Sequence, residues 1–172
     1  MTILNHLTGP LTRFGLGVAL AATLIDQASK LYLLFVYELG ARGRVEITPF
    51  MDFVLTKNTG ISYGLFQSQG ALGQWILLAI KAAAVVFLLV WLARAATRLT
   101  ALSIGLIIGG AVGNAIDRLV YGWVADFVLF HVDTATWRFY WYVFNLADVA
   151  IVAGVVGLLY ESVFSGRAVK AP

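Results

Sequence analysis

Four apolar runs, at residues 14–37, 71–92, 101–120 and 143–164, are separated by two polar stretches, 38–70 and 121–142, and by a tight basic connection at 93–100. A helix needs about 20 apolar residues to cross the hydrocarbon of a bilayer, so each run predicts one membrane span. The first is about 24 residues long, or about 36 Å as a helix. Asp26-Gln27-Ala28-Ser29-Lys30 interrupts it. Residues 14–25 also have the length of the apolar segment of a cleaved signal peptide. However, Arg13 alone precedes them, and apolar residues resume at Leu31 and continue to Tyr37, which favours a single retained helix. In the second run Lys81 sits near mid-depth; a stem lying along lipid with its amine reaching outward is favoured over an amine facing the bundle interior. The third run carries Gly105, Gly109 and Gly113 at four-residue spacing, a small-residue face on which another helix can pack closely.

The polar stretches carry weaker patterns. Val45-Glu46-Ile47 and Phe53-Val54-Leu55 are short, β-branched and split by Pro49, so two short strands are expected, followed by a turn at Asn58-Thr59-Gly60. Residues 121–142 read as a loop whose Trp137, Tyr140, Trp141 and Tyr142 suit the headgroup level of a membrane. Neither an internal repeat nor the paired interrupted helices of transporters is visible.

Composition agrees with this pattern and narrows the chemistry. Of 172 residues, 60% are hydrophobic and 12% charged, with a mean hydropathy of +0.87. Ordinary soluble domains are about 45–50% apolar and about a quarter charged, so one soluble core could not hide this much apolar surface. One integral membrane domain, 1–172, is expected: an all-α membrane protein of four transmembrane helices. A net charge of +3 with dispersed basic residues argues against nucleic acid as a partner. Without cysteine there is no disulfide, thiolate metal site or cysteine nucleophile. His6 and His131 alone, with no His-Glu-x-x-His, make a zinc peptidase unexpected.

Four spans put both termini and the Arg94/Arg98 connection on one side and both polar stretches on the other. Basic residues hardly separate the sides: Arg13, Arg94, Arg98, Arg167 and Lys170 stand against Arg42, Arg44, Lys57, Arg118 and Arg138. The short connections favour termini on the cytoplasmic side. In either orientation Asp117, Arg118, Asp126, Asn145 and Asp148 fall together. Asp148 is expected about five residues into its helix, about 8 Å deep. Asn114 and Asp117 share a helix face, as do Asn145 and Asp148, and Asp26 and Lys30.

A carboxylate within a span is costly unless paired or wetted, and is therefore a functional candidate. Asp26 with Lys30 reads foremost as a buried ion pair that fixes helix packing. Asp117 reads foremost as the partner of Arg118 or of a neighbouring amide. Asp126 and Asp148 have no cation close in sequence, and together they suit catalysis better. Two adjacent carboxylates share one proton near neutral pH. The ionised one can take a proton from water while the other donates to a carbonyl oxygen, the chemistry of aspartic peptide hydrolysis, with no metal or cofactor. Asn58, Asn114, Arg118 and Asn145 could hold an unwound substrate strand. Spacing alone leaves two other readings open. One is a proton-coupled small-solute carrier using Asp26, Asp117 and Asp148 as relays; the other is a non-catalytic assembly subunit whose polar groups only join helices.

The ordered motifs are more specific. Asp26-Gln27-Ala28-Ser29-Lys30, Lys57-Asn58-Thr59-Gly60-Ile61-Ser62-Tyr63-Gly64, Gly113-Asn114-Ala115-Ile116-Asp117-Arg118 with Gly122-Trp123-Val124-Ala125-Asp126-Phe127, and Phe144-Asn145-Leu146-Ala147-Asp148 follow one another in the chain. Over nearly its whole length the chain resembles the signal peptidase II family of bacterial intramembrane aspartic peptidases. The resemblance implies that Asp126 and Asp148 are the catalytic pair, and that the first polar stretch forms a small extracytoplasmic β-cradle. Asn58, Gly60, Asn114, Asp117, Arg118, Asn145, Asp26 and Lys30 would support or contact the substrate. The implied substrate is a prolipoprotein, cut before a cysteine that already carries diacylglycerol, at a site near the outer face of the bacterial inner membrane. Membrane lipids are the other implied partner, and a monomer is expected. One departure is Ile61-Ser62-Tyr63, where the family often has two alanines and a phenylalanine; it bears on local packing and substrate preference.

Overall fold

The computed structural model describes residues 8–60 and 71–165, with only the backbone described at 71–77 and 165. Residues 61–64 of the second motif, including the Ile61-Ser62-Tyr63 departure, lie outside the described residues, as do Arg167 and Lys170.

Helix α1 (Thr12–Leu31) opens where the Gly9 N–H donates to Thr12 Oγ1 at 2.7 Å, and continues as a π-helical turn, Tyr32–Val36. Glu38, in the left-handed region at φ 53°, turns the chain into the short helix α2 (Leu39–Arg42). Strands β1 (Val45–Thr48) and β2 (Met51–Asn58) follow. Helix α3 (Ala71–Ala93) leads to α4 (Arg98–Tyr121), whose first turn is capped by the Thr97 hydroxyl accepting from the Thr100 N–H at 3.0 Å. Gly122, at φ 78°, ends α4 by donating to the Arg118 carbonyl, a left-handed position that favours glycine. Strands β3 (Val124–Asp133) and β4 (Arg138–Tyr140) precede α5 (Leu146–Ser165).

Among the described residues, three helices are long and apolar enough to cross a membrane: Thr12–Val36, Arg98–Tyr121 and Leu146–Phe164. Within α3 the described apolar stretch is Leu78–Ala93. Helix α4 is the centre of the bundle, and its glycines explain how. A Cβ at Gly105 would come within 2.5 Å of the Gly15 carbonyl oxygen, and one at Gly109 within 2.5 Å of that of Ala19. Helices α1 and α4 therefore touch backbone to backbone, and contacts rising together in sequence make them parallel. Gly110 faces Ala147 and Ile151 while Gly154 faces Ser103 and Ile107, so α5 runs antiparallel to α4 on another side. Leu92, near the end of α3, packs on Gly15, near the start of α1, which makes these two antiparallel. The membrane-level core is Ala19, Leu88, Leu92, Ala95, Ala101, Ile104 and Ile108. Val152, Val156, Leu159 and Val163 of α5 are exposed, as a lipid-facing side requires.

The sheet is antiparallel with order β1-β2-β3-β4. It corrects one expectation. The chain is not all-α with one strand-bearing loop, because the second polar stretch supplies two of the four strands. Residues 124–129 are all buried, Asp126 among them, so β3 lacks the in–out alternation that marks a half-exposed strand. Its core of Leu33, Leu39, Phe127 and Val128 ties the sheet to the end of α1. His131 of β3 lies against the neighbouring inner strand β2, with Nε2 3.1 Å from Asp52, and its Nδ1 is 3.2 Å from Asp133 of its own strand. Helix starts differ too. Helix α4 takes in Arg98, and α5 begins at Leu146 rather than 143, so Asp148 lies in its first turn.

Candidate active site

Five elements converge where the bundle meets the sheet. The inner layer is an ion cluster between α1 and α4. Lys30 Nζ lies 2.8 Å from Asp26 Oδ2 and 2.9 Å from Asp117 Oδ2, and donates to Asn114 Oδ1 at 2.9 Å. Asp26, Lys30 and Asp117 are essentially inaccessible to water. Gln27, which sequence reading passed over, donates to Asp117 Oδ1 at 2.8 Å and to the Gly113 carbonyl at 3.0 Å. Its place inside the first motif, one residue from Asp26, was the available signal. The Ala147 N–H donates to Asp26 Oδ1 at 2.9 Å, and the Ala125 N–H to Asp117 Oδ2 at 3.0 Å. The ion cluster thus grips the backbone one residue before each of the two aspartates expected to react.

Of the partners expected for Asp117, Arg118 or a neighbouring amide, the amide is present as Gln27, and the cation paired with the carboxylate is Lys30 of α1. Arg118 donates instead to the Gly60 carbonyl at 3.1 Å, fastening the end of β2's turn to α4. The Gly60 N–H donates to Asn58 Oδ1 at 3.2 Å, closing the turn expected there.

The outer layer contains Asp126 and Asp148. Asp126 lies on β3 opposite Thr56. From the same neighbouring strand Asn58 Nδ2 donates to Asp126 Oδ2 at 3.0 Å, and from the start of α5 Asn145 Nδ2 donates to Asp126 Oδ1 at 2.6 Å. Asn145 caps α5: its Oδ1 accepts from the Asp148 N–H at 3.1 Å, while its own N–H donates to Asp148 Oδ2 at 3.2 Å. This reciprocal exchange is a capping box, with aspartate in place of the usual glutamate. Asn114 Nδ2 donates to Asp148 Oδ1 at 3.0 Å. All four carboxylate oxygens of the pair accept an amide N–H, and Asn145 touches both groups.

Asp126 is buried and Asp148 half-buried. Burial foremost raises Asp126 from the ordinary 3.8 to about 6; the negative Asp148 adds to the rise, and the amide donors Asn58 and Asn145 oppose it. A carboxyl held near 6 keeps its proton to a higher pH than an ordinary carboxylate does. Among the described residues no group of histidine and carboxylate side chains is arranged to hold a metal ion.

Fold and site define a helix-rich membrane protein with a small antiparallel sheet, its polar machinery built where the two meet. The chain matches the family described as signal peptidase (SPase) II over residues 18–164. It belongs to the signal peptidase II family. A lipoprotein signal peptidase of Nitrobacter hamburgensis is 62% identical over 93% of this chain and 98% of its own length. Those of Rhodopseudomonas palustris and Methylorubrum extorquens are 57% and 54% identical, over 93% and 87% of this chain and 98% and 85% of their own. A solved bacterial membrane enzyme shares the fold with a TM-score of 0.70 at 24% identity, covering 92% of each chain. The carrier reading falls with this membership, and Asp26 and Asp117, two of its relays, are tied to Lys30.

Proposed function

We propose that the chain is an aspartic endopeptidase that removes the signal peptide from prolipoproteins, cutting before a cysteine that carries diacylglycerol. The observation that carries the catalytic part is Asn145, hydrogen-bonded to both Asp126 and Asp148. Family membership and the names of the relatives support the substrate class. Asp126 and Asp148 share one proton. The ionised carboxylate takes a proton from water as its oxygen attacks the scissile carbonyl, and the protonated one donates to the carbonyl oxygen. The tetrahedral intermediate collapses as a proton passes to the leaving nitrogen, and the C–N bond breaks. No metal or cofactor takes part. Asn58, Asn114 and Asn145 orient the pair, Gly60 and Arg118 anchor the neighbouring strand turn, and Asp26, Lys30 and Asp117 form the foundation.

The protein is a monomer in the bacterial inner membrane, spanning it four times by α1, α3, α4 and α5. Both termini are cytoplasmic and the site lies near the outer face. The antiparallel course of α3 against α1 supports the fourth span. The deciding experiment gives purified protein a diacylglyceryl prolipoprotein. Wild type cleaves it with or without chelator, while Asp126→Asn and Asp148→Asn remain folded and do not. Turnover by either variant removes the aspartic assignment, and loss of activity to chelator removes the metal-free mechanism. Since the chain has no cysteine, single cysteines introduced at each terminus report the sidedness to an impermeant thiol reagent.

A further inference from the structure

Beside the polar cluster lies a groove of about 460 Å³ between α3 and α4, lined by Leu78, Lys81 and Val85 on one side and Ala111, Ala115 and Leu119 on the other. Alanines keep it open. It is apolar apart from Lys81, which is half-buried. On α4, Ala115 and Leu119 directly follow Asn114 and Arg118, so the groove runs along the flank of the site. Lys81 is within electrostatic range of Asp148, Asp117, Lys30 and Arg118. A cation placed so deep in apolar surroundings is costly unless something there uses it.

The groove's chemistry points to the occupant. Its size falls within the range of about 300–1,000 Å³ usual for small-molecule sites, and its apolar walls do not favour water. A hydrocarbon chain matches its apolar walls. An ester at the head of that chain offers a carbonyl oxygen, which an ammonium group can hold as donor.

We infer that the α3–α4 groove receives one acyl chain of the lipidated cysteine, with Lys81 donating to the ester carbonyl at its glyceryl end. This rests on the lipoprotein reading above, and it makes Lys81 and Ala115 determinants of lipid specificity. The occupied groove would hold the glyceryl cysteine beside Asp148, so that the lipid sets the register of the scissile bond.

Two comparisons and a cross-link test it. Filling the groove with Ala115→Leu raises KM about tenfold for a dipalmitoyl substrate, the loss of roughly two methylene contacts, and leaves a dibutyryl substrate unchanged. Lys81→Met raises KM about tenfold for the diester, as expected for a lost charged hydrogen bond, and leaves the dialkyl ether analogue, which has no carbonyl, unchanged. Equal effects on both members of either pair, or no effect, overturn the inference. A diazirine placed in the acyl chain and photolysed on folded Asp126→Asn protein labels α3 and α4 along the groove; labelling confined to other helices overturns it. The cross-link needs neither turnover nor a groove variant, so it decides the acyl site even if Ala115→Leu misfolds. Absence of wild-type cleavage would instead remove the proposed activity.

Discussion

Val128 and Phe144 exchange backbone hydrogen bonds, the Val128 N–H donating to the Phe144 carbonyl at 2.8 Å and the Phe144 N–H to the Val128 carbonyl at 3.0 Å. Asp126 stands two residues before the first and Asn145 one residue after the second. This bridge folds the chain leading into α5 back against β3, and thereby sets Asn145 on Asp126 and Asp148 nearby. The approach of the two aspartates is thus a property of backbone pairing before it is one of side chains.

Asn145 is the first test of that arrangement. Asn145→Ala loses the α5 cap, costing about 1 kcal/mol of stability. It also frees both aspartates, and kcat should fall about a hundredfold, as for a misplacement of about 1 Å. Asn145→Asp keeps an acceptor for the Asp148 N–H but sets a third carboxylate against Asp126. It should retain more stability than the alanine variant while being no more active. Thermal unfolding in detergent and single-turnover cleavage read the two effects separately; an active Asn145→Asp would show that the amide bridge is dispensable.

Lys30 should matter through stability. Lys30→Met leaves Asp26 and Asp117 buried without their cation, a loss of about 3–5 kcal/mol. Adding Asp117→Asn removes one of those orphaned charges and should recover part of the loss in the melting temperature. Failure of the double variant to recover any would mean that the cluster is not held by charge pairing.

The glycine face makes a prediction with its own control. A Cβ at Gly113 would lie 2.5 Å from Asp26 Oδ2, an atom fixed by Lys30, so Gly113→Ala should disturb the ion cluster and lower both stability and activity. At Gly17 nothing lies within 4 Å, and Gly17→Ala should be neutral or stabilising by up to about 1 kcal/mol. Equal melting temperatures for the two variants would contradict the close approach of α1 and α4.

The pH dependence follows from Asp126. Its carboxyl is raised from 3.8 to about 6, so the protonated form is favoured by the fold. The resulting stability is fully present below the ordinary value and lost as pH rises through about 6. Catalysis needs the shared proton, so kcat/KM should fall on the alkaline side with an apparent value near 6. The Asn58 amide opposes the rise by stabilising the ionised form. Asn58→Ala should therefore move the alkaline limb upward, and a downward movement would show that the bond favours the protonated carboxyl.

The sequence by itself determined the membrane class, because apolar length and charge scarcity are properties of composition. It determined the close packing of α4 through the spacing of Gly105, Gly109 and Gly113. It also marked the polar residues of the site, since a charged group inside an apolar run is conspicuous wherever it folds. Local patterns could not show which of them meet. Lys30 is four residues from Asp26 but reaches Asp117 and Asn114 only because α1 and α4 run parallel in contact. Strand β3 was hidden, because a strand buried on both faces loses its alternation. Asp126 and Asp148 come from a strand and a helix start, and only the β2–β3 pairing and the Val128–Phe144 bridge bring them to the same asparagine. Those are long-range hydrogen bonds, and their partners are chosen by the whole fold.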